Sequence, residues 1–378
     1  MSQLHFLMAG GGTGGHVMPA IAVARELHAR GHAVTFLGTR TGLEARLVPE
    51  AGFLVEWVNI GGLNSVGLLR KLRTLWQLPL AIGRAWRIMR RLRIAAVFSM
   101  GGYVAGPAVA AAILGRVPLA VMEPNATPGF TNRVAARWVK RALLSFEETA
   151  RWFPAGRAEI TGRPVRPEFF AVPAKEPGER FTVLITGASQ GSRTLNRAAR
   201  ESWPLFAHSG APIHLVMQTG PNEAESMARE WAAFDKPGTL TGEVTAFICD
   251  MPDAFAQADL IVCRSGGTVA ELAAAGRPGV LVPYPFAADD HQARNAEAVQ
   301  RAGAGVMVRD SEMTGERLHR EVTNFMRDPQ LARRMGEAAR ELAKPDATRR
   351  AADVLVEIAQ ENAKEGLTRL PQSRNNTE

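Results

Sequence analysis

The chain has 378 residues, 46% of them apolar and 22% charged, which is ordinary for a soluble globular protein and long enough for two domains. Two cysteines, Cys249 and Cys263, exclude a disulfide framework and point to a reducing compartment, and no basic-then-apolar signal segment opens the chain. A formal charge of +8 calls for an anionic partner: nucleic acid, an acidic membrane surface or a phosphorylated ligand.

A short apolar run predicts a first strand at Leu4–Met8, followed at once by "MAGGGTGGHVMPA". Glycines 10, 11, 12, 14 and 15 permit a tight turn, and Val17–Ala29 is predicted helical, with Pro19 tolerated in its first turn. The free N–H groups at such a helix start suit a phosphate or another anion. No Lys-Ser/Thr follows, so this is not a Walker loop. Gly10, Gly12 and Gly15 do match G-x-G-x-x-G, which makes an NAD(P) dehydrogenase a rival. That fingerprint wants a carboxylate at the end of the second strand (Ala33–Leu37), but "FLGTR" has none before Glu44. Arg40 could still serve a 2′-phosphate.

A third strand is predicted at Leu54–Val58. No acidic residue then occurs between Glu56 and Glu123, and Arg70–Ile94 carries eight Lys/Arg and two Trp. Its apolar residues recur at helical spacing, interrupted near Pro79. Such a pattern fits an interfacial membrane segment, or equally a core-packing helix with a solvated basic face. No nucleic-acid reading module accompanies it, and nucleic acid is not an expected partner. Ile94–Gly115 is uncharged over 22 residues, but "SMGGYVAGP" breaks any single helix. It is read as a strand (Ala95–Ser99), a Gly loop and an Ala-rich helix, with a further strand at Leu119–Met122.

"TGRPVRPEFFAVPAKEPGER" (161–180) has the composition of a linker, after which "FTVLITGASQGSRTLN" restarts the strand, Gly turn, helix order. Gly187-Ala-Ser189-Gln-Gly191 fits a hydrolase elbow, with Asp259 and His291 following in order; such residues are ordinarily turn and cap residues. Strands follow at Ile213–Gln218, Leu260–Cys263, Gly279–Pro283 and Gly305–Val308. Near-continuous apolar strands alternating with helices predict an α/β protein: two doubly wound, Rossmann-like parallel-sheet domains in tandem with a cleft between them. The expected divisions are 1–162, a linker 163–180, 181–340, C-terminal helices 341–365 packing back toward the N-terminal domain, and a disordered tail 366–378. Gly-rich turns at 10–15, 101–103, 187–191 and 264–271 suggest two phosphate-bearing substrates rather than one cofactor. Gln292 and Asn295 suit hydroxyl and amide hydrogen bonds. There is no Asp-x-Asp and no His/Cys cluster at ligand spacing, so neither a metal nor a cofactor is expected.

From Leu4 to Asp353 the segments "GGTGGHVMPA", "MGGYVAGP", "TGRPVRPE", "GASQGSRTLN", "VCRSGGTVAELAAAGRPGVLVPYP" and "DDHQARNA" together resemble the two-domain (GT-B type) nucleotide-sugar glycosyltransferases. Within them they resemble the bacterial peptidoglycan enzymes that add N-acetylglucosamine to undecaprenyl-diphosphate-MurNAc-pentapeptide. The resemblance implies that Thr13, Gly14 and Gly15 lie against the donor and diphosphate region. It implies that Asn125 and Gln292 meet the donor sugar of UDP-GlcNAc, Arg166 and Ser189 the nucleotide, and Ile248 the uracil. Gly267, Thr268, Val269, Ala270 and Glu271 would bind diphosphate and ribose, and Gly101, Gly102 and Tyr103 would face the acceptor diphosphate. Leu75, Trp76, Leu78 and Trp86 would rest on an anionic membrane, the protein being peripheral on the cytoplasmic face of the cell inner membrane. "RSGGTVAE" is one residue shorter than the family's usual form, "MEPN" replaces His-Glu-Gln-Asn, and Arg163 stands where Asn is usual.

The implied reaction is a metal-independent, inverting displacement by the MurNAc C4 hydroxyl. His16 is the candidate base, because an imidazole titrates near neutrality; otherwise it is a helix-start residue bonding backbone or phosphate. Glu123 is a second candidate base or an acceptor-orienting group. Glu271 is otherwise an ordinary surface carboxylate. A UDP-GlcNAc 2-epimerase of the same fold would have no use for the acid-free Trp-containing region.

Overall fold

The computed structural model describes residues 3–12, 14–61, 68–176, 178–235 and 238–368. By contacts the chain divides into two units, one drawn from Met1–Pro124, Pro128–Pro164 and Asp346–Glu378, the other from Asn125–Thr127 and Val165–Pro345.

The first unit contains β1 (His5–Gly10), α1 (Gly14–Ala29), β2 (Ala33–Gly38), α2 (Glu44–Glu50), β3 (Leu54–Trp57), α3 (Leu68–Arg91), β4 (Ala96–Gly101), α4 (Gly106–Gly115), β5 (Leu119–Glu123), α5 (Phe130–Ala135), β6 (Arg141–Leu144) and β7 (Ala158–Ile160). Among the described residues its strands form one seven-stranded sheet, β3-β2-β1-β4-β5-β6-β7, with parallel pairing throughout. Successive side chains of β1 alternate between two cores: Phe6 and Met8 face one, Leu7 and Ala9 the other. Because helices cover both faces, β4 and β5 are buried at every position.

The second unit contains α6 (Pro167–Phe170), β8 (Phe181–Thr186), α7 (Arg193–Ser209), β9 (Ile213–Gln218), α8 (Ala224–Trp231), β10 (Leu240–Thr245), α9 (Met251–Gln257), β11 (Leu260–Cys263), α10 (Thr268–Ala275), β12 (Gly279–Leu281), α11 (His291–Arg301), β13 (Val306–Met307), α12 (Gly315–Arg327) and α13 (Pro329–Glu341). Its six-stranded parallel sheet, again among the described residues, runs β10-β9-β8-β11-β12-β13. The last helix, α14 (Ala347–Thr368), belongs to the first unit. Ala351, Ala352, Val354, Leu355 and Ile358 fill its core, and Arg350 holds Glu159 through two hydrogen bonds of 2.6 and 2.9 Å.

The expected doubly wound α/β architecture is the observed one, with three strands added. β6, β7 and β10 escape the sequence pattern because they are short or lie at a sheet edge, where "LTGEVT" tolerates polar residues. α3 runs unbroken through Pro79 rather than pausing there. The stretch with a linker's composition contributes Val165, Phe169 and Val172 to the second unit's core, where the buried Arg277 guanidinium donates to the carbonyls of Pro173, Phe255 and Ala256. Most of the expected tail, 369–378, lies outside the described residues.

α1 begins at Gly14, three residues earlier than the pattern predicts, so Pro19 falls in its second turn. Proline has no N–H to give the carbonyl four residues back, that of Gly15. Arg163 supplies the missing donor, its Nη2 lying 2.6 Å from Gly15 O. In chemical denaturation, Arg163→Met should cost about 1–3 kcal/mol, the penalty for an unsatisfied polar group. In a Pro19→Ala background, which restores the N–H, the same change should cost clearly less; equal costs would exclude this compensation.

Candidate active site

In the first unit the C-terminal end of β1 turns against the C-terminal end of β4. Gly10 packs so closely on Met100 that a Cβ would lie 2.7 Å from the Met100 Cβ. Gly12 adopts φ +85° and faces the Tyr103 ring, 3.1 Å from where its Cβ would stand. The half-buried His16 imidazole lies beside Gly102, whose Cβ would be 3.6 and 3.7 Å from His16 Cε1 and Nδ1. The structure therefore brings Gly12 next to Tyr103 and His16 next to Gly102. Thr13 lies outside the described residues.

The Gly101–Tyr103 turn rests on a buried polar network that no spacing in the sequence signals. Ser99 Oγ accepts from Gly101 N–H at 3.1 Å and donates to Asn132 Oδ1 at 3.4 Å, and Thr131 Oγ1 donates to Gly102 O at 2.8 Å. Asn132 Nδ2 donates to Met122 O and to Glu123 Oε2, each at 2.9 Å. Glu123 is buried, and the same Oε2 also accepts Gly129 N–H at 3.0 Å. These partners suit a carboxylate that holds the turn following β5.

Glu44, the first carboxylate after β2, does not supply the one that the dinucleotide fingerprint wants. It is buried and accepts from Gly12 N–H, Thr39 N–H and Thr39 Oγ1, folding back onto the Gly10–Gly15 turn. The hydrolase triad is likewise absent. Asp259 accepts Thr182 N–H at 2.8 Å at the N-terminal end of β8, whereas Ser189 lies exposed beyond its C-terminal end. Some six strand residues, roughly 20 Å, separate the two positions. Burial raises the Asp259 carboxyl above its usual range, with the Thr182 N–H and the nearby Lys175 opposing it.

In the second unit the Gly187–Gly191 turn includes Ala188 at φ +59° and leads into α7, capped by Ser192 Oγ, which accepts Leu195 N–H. Ile248 N–H donates to Gln218 Oε1 at 3.0 Å, and the Arg166 guanidinium stacks 4.9 Å above the Phe169 ring. β11 ends at Cys263, whose thiol burial pushes well up, and Gly267 then opens α10 without a side-chain cap. Thr268, Val269, Ala270 and the half-buried Glu271 form the first turn of that helix.

Asn125 joins this unit through Asn295. Asn295 Nδ2 donates to Asn125 Oδ1 at 3.2 Å and to Ser265 O at 3.1 Å, and Asn295 Oδ1 accepts Ala126 N–H at 2.9 Å. Buried as it is, Asn295 fixes the Asn125 turn instead of offering its amide to solvent. Gln292 takes Tyr284 N–H on Oε1 at 3.0 Å, and its main-chain oxygen accepts Ser265 Oγ at 2.8 Å. Among the described residues, no group of three or more His, Cys, Asp or Glu could hold a metal ion.

The basic segment presents two faces of α3, one packed into the core and one exposed. Ala81, Ala85, Ile88 and Met89 enter the core. Outward, Trp76 is 83% and Leu80 76% exposed, and Trp86 is partly exposed beneath the Arg90 guanidinium at 4.8 Å. Leu78 is half-buried, and the Leu75 side chain lies outside the described residues. No described helix is long and apolar enough to cross a membrane.

Two Rossmann-like parallel sheets in one chain, with glycine turns opening helices at the ends of β1, β8 and β11, are the sheet architecture of the GT-B fold. Glycosyltransferase family 28 accounts for most of the length: its N-terminal domain matches residues 6–144 and its C-terminal domain residues 182–351, and the chain belongs to that family. A UDP-N-acetylglucosamine–N-acetylmuramyl-(pentapeptide) pyrophosphoryl-undecaprenol N-acetylglucosamine transferase of Solibacter usitatus is 60% identical over 355 residues, covering 94% of this chain and 96% of the relative. The protein of that name from Myxococcus xanthus is 41% identical over 361 residues, covering 94% and 93%. The crystal structure of Acinetobacter baumannii MurG superposes with a TM-score of 0.77 at 35% identity, covering 94% of this chain and 99% of that one.

Asn295→Ala leaves the buried Ala126 N–H without its acceptor, and denaturant unfolding should lose about 1–3 kcal/mol. Asn295→Asp keeps that acceptor but turns a second oxygen on Ser265 O, where Nδ2 had donated, and should recover little of the loss; a fully stable alanine variant would show the bridge to be idle.

Proposed function

We propose that this protein transfers N-acetylglucosamine from UDP-GlcNAc to the C4 hydroxyl of MurNAc in undecaprenyl-diphosphate-MurNAc-pentapeptide, with inversion and without a metal ion. The observation that carries the reading is the 60% identity, over 94% of the chain, to a relative bearing that activity in its name. Geometry supports it: each unit offers a glycine-turn site of its own, as two diphosphate-bearing substrates require.

The second unit takes the donor. Ile248 meets the uracil through its backbone, and Glu271 accepts from the ribose hydroxyls. Gly267, Thr268, Val269 and Ala270 line the diphosphate, Arg166 and Ser189 adjoin the nucleotide, and Asn125 and Gln292 hold the sugar hydroxyls. In the first unit Gly101, Gly102 and Tyr103 receive the acceptor diphosphate, with Thr13, Gly14 and Gly15 beside the reacting diphosphate region. His16 removes the C4 hydroxyl proton as the oxygen bonds to the anomeric carbon. The bond from that carbon to the UDP oxygen breaks, and main-chain N–H groups stabilise the departing charge. Glu123, engaged by Asn132 and Gly129, orients the acceptor-side turn.

The outer face of α3, with Trp76, Leu80 and Trp86 among arginines, rests on an anionic lipid surface, where the lipid-borne acceptor resides. The protein accordingly works as a peripheral protein on the cytoplasmic face of the cell inner membrane.

Incubation with UDP-GlcNAc and a short-chain analogue of the lipid acceptor, without added metal, should release UDP only when acceptor is present; UDP release indifferent to the acceptor would overturn the reading. In the same assay His16→Ala should lower kcat by about 10²- to 10⁴-fold, the usual worth of a general base, with UDP affinity unchanged. Glu123→Gln should retain far more activity, and the reverse ranking would exchange the two roles.

Membrane contact has its own measurement. Trp76→Ser with Leu80→Ser should weaken binding to phosphatidylglycerol-containing vesicles by about tenfold or more, since tenfold corresponds to only ~1.4 kcal/mol of lost apolar burial. Unchanged cosedimentation would remove this face from the interface.

A further inference from the structure

The Gly10–Gly15 turn is held by a carboxylate that the reaction scheme does not use. Glu44, the first residue of α2, is 1% exposed. Its Oε2 accepts Gly12 N–H at 2.8 Å, and its Oε1 accepts Thr39 N–H at 2.9 Å and Thr39 Oγ1 at 2.7 Å. Three glycines from separate segments make room for it. A Cβ on Gly11 would lie 2.6 Å from Glu44 Cδ, one on Gly38 would lie 2.7 Å from Glu44 Cγ, and one on Gly42 would overlap the carboxylate oxygens.

A buried carboxylate with three N–H or O–H donors is strongly directional, because charge-assisted hydrogen bonds are shorter and stronger than neutral ones. Here the direction matters, because Gly12 sits at φ +85° with the Tyr103 ring on its other side. Holding Gly12 N–H fixes the Gly11–Gly12 peptide plane at the end of β1. His16, two residues into α1, stands beside Gly102. The same bond commits Gly12 N–H to the protein, which leaves anion binding to the groups that follow it.

We propose that Glu44 is a positioning residue for sugar transfer, clamping the Gly10–Gly15 turn through Gly12 N–H so that His16 stands against the Gly101–Tyr103 turn. The proposal rests on the transferase reading with His16 as base. Glutamine is the informative substitution: it keeps the shape but replaces one acceptor oxygen with an NH₂ donor. Either Gly12 N–H or the Thr39 pair then meets a donor instead of an acceptor.

The experiment uses the full chain as wild type, Glu44→Gln and Gly42→Ala. The last variant keeps the charge but drives the carboxylate off Gly12. In the acceptor-dependent UDP-release assay both variants should lose about 10- to 100-fold in kcat, as expected for a misplaced base. Affinity for UDP, read by competition with a fluorescent UDP analogue, should stay near the wild-type value. In protein labelled with ¹⁵N-glycine, the Gly12 amide proton should move upfield in Glu44→Gln as the charge-assisted bond is lost.

Wild-type kcat in a folded Glu44→Gln protein overturns the clamp, as does a kcat loss matched by equal loss of UDP-binding protein. If Glu44→Gln fails to fold, Gly42→Ala decides by the same kinetic criteria. If the wild type itself shows no acceptor-dependent UDP release, the transferase reading falls instead. The Gly12 resonance then judges the clamp alone: a shift supports it and an unchanged resonance overturns it.

Discussion

A parallel strand covered by helices on both faces has no place along its length for a functional polar group. β4 and β5 are buried at every position, and β1 and β2 are buried beyond their first residue. Chemistry is consequently displaced to the strand ends, where the chain must leave the sheet and reverse into a helix. The glycine turns after β1, β4, β8 and β11 all stand at such ends, so one packing constraint decides where the glycine-turn candidates lie.

A turn rich in glycine is permissive, and permissiveness has to be offset if the turn is to present atoms accurately. Both units meet this need in the same way, with buried side chains that grip the turn from behind. Glu44 holds Gly12, the Ser99–Asn132–Glu123 chain supports Gly101 and the turn before α5, and Asn295 holds Asn125 and Ala126. Each of these buried acceptors is matched by main-chain, amide or hydroxyl donors, as burial of polar groups demands. Arg163 repairs the carbonyl that Pro19 leaves unserved, by the same logic on a smaller scale. The residues nearest to ligand chemistry are mostly glycines, and the specificity of their shape resides one layer deeper.

Much of this was legible in the sequence. Apolar runs of four to six residues between helical stretches announced the strands, and the glycine clusters announced the turns, because both signals are local. Legibility failed where a residue's role depends on a distant partner. Glu44 stood only as the first acidic residue after a strand end that lacks one, yet it reaches back 32 residues to Gly12. Asn295 looked like a ligand-binding amide, yet its partners lie 169 and 170 residues away. Ser189, Asp259 and His291 stood in the order of a triad, but strand direction sends Asp259 to the opposite end of β8 from Ser189.

The amino-acid sequence by itself determined the class: alternating strand and helix periods, repeated glycine turns, the acid-free basic segment and six family-like motifs in order. These are properties of neighbouring residues, and backbone sterics together with hydrophobic burial read them locally. Only the tertiary structure decided which polar residues face ligands and which serve the fold. It turned Glu44 and Asn295 inward, set His16 beside Gly102, and divided α3 into a core face and a face bearing Trp76 and Leu80. A carboxylate or amide carries the same chemistry wherever it stands; burial and the donors that packing brings to it determine whether that chemistry is spent on the protein or left for a substrate.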